Sequence, residues 1–404
     1  MQNQGIVGID PDSRKIVCFY EKRGSKKQTN EFEYTLDGLS KFLSWLKKLD
    51  SPLVGIEGRG GYNIEFEKFM QRNKYPFYSL SPTEVKKSSN SGSMSHKSNE
   101  KDAAAVADMM DTYYGKGRLE EFRFKANAYD ALKTQTRMIE KLNKKMLMEY
   151  NQLWQLLGTI SNDLRLYLCG EHKQLESCKR LANYGVLRLF INRPDVTTWT
   201  NLSVEDIHES MGKGSISQRE KFIKDLIEIS KGVVIKLDPV EELTISYAAE
   251  NILRLQEQRA AIEKALSIKY EKDENINSLT SKKGVGIWMA STIMAEIGNI
   301  DKFTNNNRLA SYAGLGRRQY STGENKKEIS PRCFNHRLKH VFIQAAHSLV
   351  LHKGDVHLRK YYEHLRKKGL RANEAYKRIA RAYIRVVFRD LKQISSNNIK
   401  GNVA

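Results

Sequence analysis

The sequence predicts an α/β domain that is followed by an all-α region with a strongly basic end. Three observations support this prediction: short apolar strands alternate with amphipathic helices up to about residue 115, long helical periodicities begin near residue 125, and positive charge accumulates in the last third. With 404 residues the chain is too long for one ordinary core, so we expect two or three domains.

The α/β region opens with a predicted β-hairpin between Gly5 and Tyr20. A first apolar run ends in Asp10, the turn-forming residues Pro11–Ser13 follow, and a second apolar run starts at Ile16. Apolar runs separated by such turn formers are typical of two antiparallel strands. The hairpin therefore brings the carboxylate of Asp10 to the end of a buried strand.

A second buried strand, Leu53–Ile56, ends in another acid, Glu57. The glycines that follow it allow a backbone or a phosphate to approach closely. Amphipathic helices are predicted at residues 36–49 and 63–73, and a further short strand at 76–80. This alternation indicates an α/β sheet with acids at its strand ends.

A third acid, Asp102, opens a helical run after a Ser- and Lys-rich loop at residues 86–101. Three carboxylates that separate elements bring to one edge of a sheet are the hard oxygen ligands that Mg²⁺ needs for phosphodiester chemistry. For any one of these acids alone, the competing interpretation is that it caps or solvates a strand end. Together, Asp10, Glu57 and Asp102 predict a magnesium site.

Two long helices are predicted after this domain, at about 125–157 and 239–271. Their apolar residues recur mostly at three- and four-residue steps, as in an antiparallel coiled-coil arm. The functional interpretation is dimerisation, which we favour, and the alternative is a pair of core helices within one subunit. The segment between them, 158–237, carries short mixed elements without recognisable chemistry.

Most of the net charge of +21 lies in the last third of the chain. Residues 281–404 contain 25 Lys and Arg against 8 Asp and Glu, which amounts to +17. This excess predicts a nucleic-acid partner, whereas the alternative is a solvated surface. No apolar run is long enough for a membrane span, and the four cysteines lack the spacing of a zinc site, so we expect a cytoplasmic protein.

Two glycine-containing segments in this basic third are candidates for contact with phosphate. In the first, Lys282 and Lys283 precede Gly284 and Gly286 at the start of an apolar helix; backbone N–H groups there can bind phosphate, or the segment is only a turn. In the second, glycines frame a predicted loop that contains hydroxyl side chains. A hydroxyl there could attack phosphorus while arginines stabilise the charge that develops; the alternative is that the hydroxyls only form turns. The loop residues concerned are Arg317, Arg318, Ser321 and Thr322.

Taken in order, these segments resemble the DEDD-type insertion-sequence transposases, the group that includes the Piv-like DNA invertases and the bridge-RNA-guided recombinases. The resemblance covers nearly the whole chain, and the order of its motifs is highly specific. The N-terminal motifs are Gly8-Ile9-Asp10, Glu57 with Gly61-Tyr62, and Lys97–Ala103. The C-terminal motifs are Gly284–Ala290, Ala295–Gly298 with Phe303, Ala310–Leu315, Thr322-Gly323, Tyr361–Gly369 and Ala375–Arg381.

The resemblance implies a RuvC-like, RNase H-fold catalytic domain at 1–120, coiled-coil helices for oligomerisation at 121–275, and a transposase domain at 276–404. It implies magnesium bound by Asp10, Glu57, Asn99 and Asp102, and a serine nucleophile that forms a covalent link to DNA. It also implies a dimer or tetramer, acting on the element ends and the target DNA at the nucleoid with a structured guide RNA. Further nucleic-acid contacts are expected at Lys326, Lys327, Arg337 and Lys339.

Three positions depart from the family pattern. Asn99 stands where the family has its third acid; it offers magnesium a carbonyl oxygen without charge, and it shares a helix face with Asp102. Thr322 stands in the column of the serine, while Ser321, one residue earlier, has the less hindered hydroxyl; both remain candidates, with Ser321 slightly favoured. The third departure is Cys333-Phe334-Asn335, where the family usually has Gly-Asn, and we expect its effect to be local.

The leading hypothesis is therefore a mobile-element DNA recombinase that uses magnesium and a Ser or Thr nucleophile. One alternative is a RuvC-like, metal-dependent junction nuclease in which water attacks. Another is a decayed or domesticated relative that binds nucleic acid without cutting it.

Overall fold

The computed structural model describes most of the chain, which divides into two compact units, residues 1–126 and 127–404. The described residues are 5–22, 27–57, 63–80, 85, 98–124, 129–169, 180–212, 219–316, 318–322, 325–329, 334–352 and 355–401. Only the backbone is described at 63–64, 318–322, 325–329 and 399–401.

The first unit is built on a mixed five-stranded sheet with the strand order β3-β2-β1-β4-β5. Its strands are β1 (Ile6–Pro11), β2 (Lys15–Glu21), β3 (Gln28–Glu33), β4 (Leu53–Glu57) and β5 (Tyr78–Leu80). β2 runs antiparallel to both of its neighbours, whereas β1, β4 and β5 are parallel. The predicted hairpin and the predicted strand before Glu57 are therefore present.

Helices cover both faces of this sheet. They are α1 (Leu36–Lys48), α2 (Asn63–Arg72) and α3 (Asn99–Gly115), followed by a 3₁₀ turn at Leu119–Phe122. α1 and α2 bury Phe42 and Phe66 in one core with Val7 and Ile9, while α3 buries Met110 in a second core with Ile6. Neighbouring residues of β1 thus serve opposite faces, as the pleat of a strand requires.

The edge strand β3 was not predicted from the sequence. Its residues, QTNEFE, are mostly exposed, and Phe32 is the residue of this strand that packs against the core. Edge strands with polar, charged side chains carry little of the apolar signal that identifies a strand. Pairing with β2, which only the folded chain supplies, defines this element.

The described part of the second unit is helical, apart from one hairpin. Its helices are α4 (Asp130–Ile160), α5 (Asn162–Cys169), α6 (Tyr184–Asn192), α7 (Val204–Met211), α8 (Arg219–Ser230), α9 (Pro239–Lys269), α10 (Glu274–Thr280), α11 (Ile287–Ile297), α12 (Asn306–Tyr312), α13 (His336–Leu351), α14 (Val356–Lys367) and α15 (Ala372–Gly401). The hairpin pairs β6 (Arg318–Thr322) with β7 (Asn325–Ile329). Two 3₁₀ turns occur at Val196–Asn201 and Ile300–Lys302. The overall prediction of α/β followed by α is confirmed.

The two long helices α4 and α9 pack against each other antiparallel. The first half of α4 shares a core with the end of α9 and with α10–α15, and its second half shares another core with the start of α9 and with α5–α8. The Tyr129 hydroxyl, just before α4, donates a 2.9 Å hydrogen bond to Asp273, just after α9. Core packing within one subunit therefore accounts for these helices, and their role in dimerisation stays a prediction.

One further expectation is corrected in detail. In segment 158–237, where short mixed elements were expected, the described elements are α-helices and one 3₁₀ turn, joined by irregular residues. The basic end of the chain forms two helices, because Gly369 adopts a positive φ of 81° between α14 and α15, a conformation that glycine adopts at low cost. Among the described residues, no helix is both long and apolar enough to span a membrane.

Candidate functional site

Asp10 and Glu57 lie at the ends of two neighbouring parallel strands. β1 and β4 pair in register as far as Ile9 opposite Ile56, and the two acids are the next residues of their strands. Side chains of paired residues in parallel strands project from the same face of a sheet. Both half-buried carboxylates therefore lie at one edge of the sheet and on one face.

This face is the one that α3 covers. A Cβ added at Gly8, two residues before Asp10, would lie 2.6 Å from the backbone nitrogen of Ala107 and would overlap the carbonyl oxygen of Ala103. Side chains two residues apart on a strand share a face, so Asp10 projects towards α3, and Glu57 projects with it. The absence of a side chain at Gly8 allows the helix to approach the strand this closely.

The first turn of α3 brings two more predicted residues to the same edge. The Ser98 hydroxyl caps the helix by accepting a 3.3 Å hydrogen bond from the Lys101 N–H, which starts α3 at Asn99. Asn99 and Asp102 follow at a spacing of three residues, and both are half-buried. The four predicted residues of this site thus come from β1, β4 and α3 at one end of the sheet.

A fifth polar residue, Asp12, joins this edge, although its sequence context identifies it only as a turn former. The Asn99 side-chain amide donates a 3.3 Å hydrogen bond to Oδ2 of Asp12, and the Ser13 N–H donates one of 2.6 Å to Oδ1. These bonds, that from Ser13 most strongly, hold the pKa of Asp12 below its usual range. Its spacing of two residues from Asp10 was the available sequence signal, because that spacing places both on one face of a strand.

The donor set at this edge suits magnesium chemically. Carboxylate and amide oxygens are the hard ligands that this ion prefers. Within the described residues, however, no three Asp, Glu, His or Cys side chains are grouped so that they could hold a metal ion. The acids thus share an edge and a face without enclosing one point, and their role as metal ligands stays a prediction.

The predicted nucleophile segment of the second unit is a β-hairpin rather than an irregular loop. In its ladder, Ser321 pairs with Lys326 and Thr322 with Asn325. Tyr320, Thr322 and Ile329 are of types that favour strands, whereas the asparagine, lysines and glutamate of β7 are depleted in them, so the sequence signal for this hairpin is weak. Arg317 and Gly323 lie outside the described residues, and only the backbone is described for Arg318, Ser321, Thr322, Lys326 and Lys327.

The base of this hairpin is tied to the helical core. Just before the hairpin segment, the Tyr312 carbonyl oxygen accepts a 2.8 Å hydrogen bond from the Asn335 N–H, just after it. Gly314 lies directly under the Phe334 ring, and a Cβ there would overlap that ring. The Phe334-Asn335 departure from the family pattern is therefore part of the anchor of the hairpin.

A buried acid, Glu296, completes the anchor; the sequence identified it only as part of the Ala295–Gly298 motif and assigned it no role. Its side chain is 5% exposed, and its carboxylate accepts hydrogen bonds from the side chains of Asn335 at 2.7 Å and Arg137 at 3.4 Å. Asn335 also caps α13 by accepting a hydrogen bond from the Leu338 N–H. One carboxylate thus connects α4, α11 and α13 beneath the hairpin.

The segment with Lys282, Lys283, Gly284 and Gly286 forms a turn between α10 and α11. Gly284 has a φ of +98° and packs against Ser348, whose hydroxyl donates a 2.6 Å hydrogen bond to the Gly284 carbonyl. Gly286 is the exposed N-cap of α11, and no side chain caps that helix. Lys283 is exposed, whereas Lys282 lies 3.9 Å from the Asp390 carboxylate. The turn is observed, and phosphate contact stays a prediction.

Arg337 and Lys339, two further predicted nucleic-acid contacts, have partners within the protein. Arg337 Nε lies 2.8 Å from Oε2 of Glu140, and the Lys339 ammonium lies 4.5 Å from the centre of the Phe334 ring. Burial alone would raise the pKa of Glu140, but hydrogen bonds from Lys144 and Arg337 outweigh burial and lower it. Arg337 is therefore partly neutralised before any nucleic acid binds.

A cleft of about 850 Å³ between α4, α9, α11 and α13 was not expected from the sequence. Lys144 and His340 are among the residues that line it. Three buried atoms in its wall, Oδ1 of Asn143, Oε1 of Gln344 and Nε1 of Trp288, have no hydrogen-bond partner among the described residues. The residues that carry these atoms are far apart in the sequence, so no local motif identifies the cleft.

Comparison with known proteins defines the class as that of transposases. The model described as "Transposase IS116/IS110/IS902 family" matches residues 276–363, and a "Transposase" model of the DEDD type found in IS110 elements matches residues 7–162. The chain belongs to the IS110 family of DEDD-type transposases. The family recognised from the sequence motifs is therefore confirmed.

A curated relative is the "Insertion element IS110 uncharacterized 43.6 kDa protein" of Streptomyces coelicolor, which is 28% identical over 176 residues. The match spans 43% of this chain and 43% of the relative. The solved structures of Thermus thermophilus RuvC, alone and with a Holliday junction substrate, are 15% and 14% identical. Each match covers 28% of this chain and 97% of the other, with a TM-score of 0.22, which supports no conclusion.

Proposed function

We propose that this protein is a magnesium-dependent transposase that cleaves and exchanges DNA strands through a covalent protein–DNA intermediate. The observation that carries the proposal is the placement of Asp10 and Glu57 on adjacent parallel strand ends, beneath the first turn of α3. Membership of a transposase family supports the same activity. On this proposal the first unit is a RuvC-like nuclease domain.

Asp10, Glu57 and Asp102 would hold the metal ion, with the Asn99 carbonyl oxygen as a neutral ligand. Magnesium, when bound, supplies a positive charge that polarises the scissile phosphate. The three carboxylates, which are half-buried, would hold that ion at one edge of the sheet. We propose this ligand set from the chemistry of the donors and their common edge.

Ser321 or Thr322 would be the nucleophile. Its hydroxyl oxygen forms a bond to phosphorus and releases its proton to a base, while one ester oxygen of the DNA backbone leaves and is protonated to a hydroxyl. Arg317 and Arg318 would stabilise the charge that develops on the phosphate. The anchor formed by Glu296 and Asn335 supports this role, because a nucleophile must be held in place to react.

The charge of the chain and its family support proposals for the remaining partners. Lys282, Lys283, Gly284, Gly286, Lys326, Lys327, Arg337 and Lys339 would contact the backbone of the element ends or of the target DNA. We further propose a structured guide RNA for target choice, a homodimer or homotetramer, and action at the nucleoid of a prokaryotic cytoplasm. The charge of +17 in residues 281–404 supports the nucleic-acid contacts.

The test is a denaturing gel of the full-length protein incubated with magnesium, the DNA that flanks its gene, and RNA transcribed from that DNA. A protein–DNA band that survives SDS is expected for the wild type and should disappear in Asp10→Ala. It should also disappear in either Ser321→Ala or Thr322→Val, and that result identifies the nucleophile. Asp37→Asn, at an exposed acid of α1 paired with Lys41, is the matched control and should retain the band.

Three other outcomes would overturn parts of the proposal. Cleaved DNA without a covalent band indicates a nuclease in which water attacks. Bound but uncleaved DNA indicates a relative that only binds nucleic acid. A covalent band of full intensity in Asp10→Ala removes Asp10 from the catalytic centre.

A further inference from the structure

We infer that the cleft between α4, α9, α11 and α13 binds one unpaired nucleotide of a nucleic-acid strand, with the base in the cleft and the phosphate in a smaller pocket beside it. This inference rests on the proposed function, in which the protein acts on nucleic acid, and adds a site for a single base. Its structural basis is a set of buried polar atoms that have no partner within the described part of the chain.

Three residues of the cleft wall carry these atoms. Trp288 is 7% exposed, and its Nε1–H has no acceptor among the described residues; Oδ1 of Asn143 and Oε1 of Gln344 likewise have no donor. A buried polar group without a partner destabilises a protein, so nearly all such groups are paired. The three atoms together therefore indicate a ligand that accepts one hydrogen bond and donates two.

A nucleobase meets this requirement. The edge of adenine, for example, carries an amino group that donates and, next to it, a ring nitrogen that accepts. Its flat faces can contact the apolar side chains of Met146, Met289 and Leu351, which also line the cleft. The cleft volume of about 850 Å³ lies within the range of about 300–1,000 Å³ that is usual for small-ligand sites, so it has room for a base and its sugar.

A side chain that can move lies over Trp288. The guanidinium carbon of Arg259 is 5.9 Å from the centre of the Trp288 ring, near the outer limit of a cation–π contact. Arg259 also pairs with Glu263 at 2.9 Å, and its side chain is 37% exposed. It can therefore turn towards solvent when a base enters, and its planar guanidinium can then stack on that base.

The smaller pocket, of about 260 Å³, offers the charge that a phosphate needs. It shares Lys144, Trp288 and His340 with the cleft, so the two are adjacent. The basic residues that line it are Arg137, Lys144, His336, Arg337 and His340. Glu140 accepts hydrogen bonds from two of these cations, and Glu296 accepts one from the third, Arg137. Three fixed cations thus face two acids, and the two histidines supply further donors.

This pocket begins where the β6–β7 hairpin returns to the helical core. His336 directly follows Asn335, whose N–H and side chain anchor the base of the hairpin. A phosphate bound there would belong to the strand that lies closest to the candidate nucleophile. The inferred nucleotide is therefore one beside the cleavage point, with its base turned out of any duplex, as enzymes that act on nucleic acid often require.

The test follows the indole N–H signals of the full-length protein, labelled with ¹⁵N-tryptophan, during titration with adenosine 5′-monophosphate in the absence of magnesium. The chain has four tryptophans, and Trp288→Phe identifies the signal of Trp288. We expect a saturable downfield shift of this signal. The signal of Trp154, which has the Arg165 guanidinium over its ring at 4.3 Å, is the matched control and should not move.

Two further ligands make the titration specific. Ribose 5-phosphate, which lacks the base, should leave the Trp288 signal unchanged. The 2′-deoxy form of the nucleotide identifies the strand: a stronger response to it assigns the site to DNA, a weaker one assigns it to RNA, and an equal one admits both. A Trp288 signal that does not respond to the nucleotide, or that responds equally to ribose 5-phosphate, would overturn the inference.

A substitution separates ligand binding from a structural role. Gln344→Met keeps the length of the side chain and removes Oε1, so we expect nucleotide binding to weaken about tenfold, as for one lost buried hydrogen bond. It should not lower the midpoint of urea unfolding, because the lost oxygen has no partner among the described residues. Gln155→Met, at an exposed glutamine of α4, is the matched control and should bind like the wild type. Unchanged binding in Gln344→Met, or a lowered midpoint, would contradict the inference.

The outcomes also separate this inference from the proposed function. The titration contains neither magnesium nor substrate DNA, whereas the proposed function is tested by the covalent protein–DNA band. A covalent band with an unresponsive Trp288 overturns the nucleotide site alone. A responsive Trp288 without cleavage of DNA supports the nucleotide site and overturns the proposed recombinase.

Discussion

Asn335 and Glu296 are 39 residues apart in the chain, and a 2.7 Å hydrogen bond joins the amide of the first to the buried carboxylate of the second. The bond fixes the residue at which the chain re-enters the helical core after the β6–β7 hairpin. The placement of a candidate nucleophile therefore depends on an acid that lies outside the hairpin.

Replacing this acid tests the anchor. Glu296→Gln removes the charge that accepts hydrogen bonds from Arg137 and Asn335, and we expect a loss of about 2 kcal/mol in the free energy of unfolding, as for hydrogen bonds to charged groups. Urea unfolding followed by circular dichroism measures this loss. Glu263→Gln, a half-buried acid paired with Arg259 within α9, is the control and should cost about 0.5 kcal/mol or less. Equal losses in the two variants would contradict the anchor.

The close approach of α3 to the sheet predicts unequal costs for two glycine substitutions. Gly8→Ala would drive its Cβ against backbone atoms of α3, which cannot move without shifting the helix. We therefore expect the free energy of unfolding to fall by about 2–3 kcal/mol. In Gly55→Ala the new Cβ contacts the side chain of Met110, which can change rotamer, so we expect the free energy of unfolding to fall by only about 1 kcal/mol.

Thermal unfolding monitored by circular dichroism compares these two variants. A smaller loss of stability in Gly8→Ala than in Gly55→Ala would show that α3 does not pack against β1 as described. Because Asn99 and Asp102 lie on α3, Gly8→Ala should also weaken Mn²⁺ binding, if the proposed metal centre is correct.

The ion pair between Arg337 and Glu140 predicts a dependence of stability on pH. The pKa of Glu140 is lowered in the folded protein, so its contribution is complete above the ordinary glutamate pKa of about 4.3 and is lost as the pH falls through the lower folded value. Arg337→Gln should therefore destabilise the protein by about 0.5 kcal/mol at pH 7, since the pair is partly exposed, and by less at pH 3.

Urea unfolding at the two pH values measures the difference between wild type and Arg337→Gln. Lys144→Gln, which removes the other cation beside Glu140, should show the same trend. If Arg337→Gln destabilises the protein as much at pH 3 as at pH 7, or more, the ion pair with Glu140 is not the origin of the destabilisation.

The exposed Lys283 at the turn before α11 predicts a contact with the DNA backbone. Lys283→Ala should weaken binding uniformly across DNA sequences and reduce the slope of log K against log salt by about 1, because one phosphate contact is lost. Fluorescence anisotropy over a series of salt concentrations provides this slope. Lys236→Ala, at an exposed lysine before α9, is the control, and an identical slope in both variants would remove Lys283 from the interface.

The sequence by itself determined which elements carry the candidate chemistry. Apolar runs that end abruptly in Asp10 and Glu57 identify strand ends, and the accumulated charge of residues 281–404 identifies the basic region. These signals are local, because strand period, turn formers and charge depend only on neighbouring residues. The transposase family was likewise identified from the sequence alone, because its motifs and their order are read directly along the chain.

Tertiary structure decided the relationships that join distant residues. The hydrogen bond between Asn99 and Asp12 spans 87 residues, and that between Asn335 and Glu296 links two helices through a buried carboxylate. Neither pair has a sequence signature, because hydrogen bonding of a polar side chain depends on which elements pack around it. The edge strand β3 and the cleft beside Trp288 likewise arise only when separate segments meet in the folded chain.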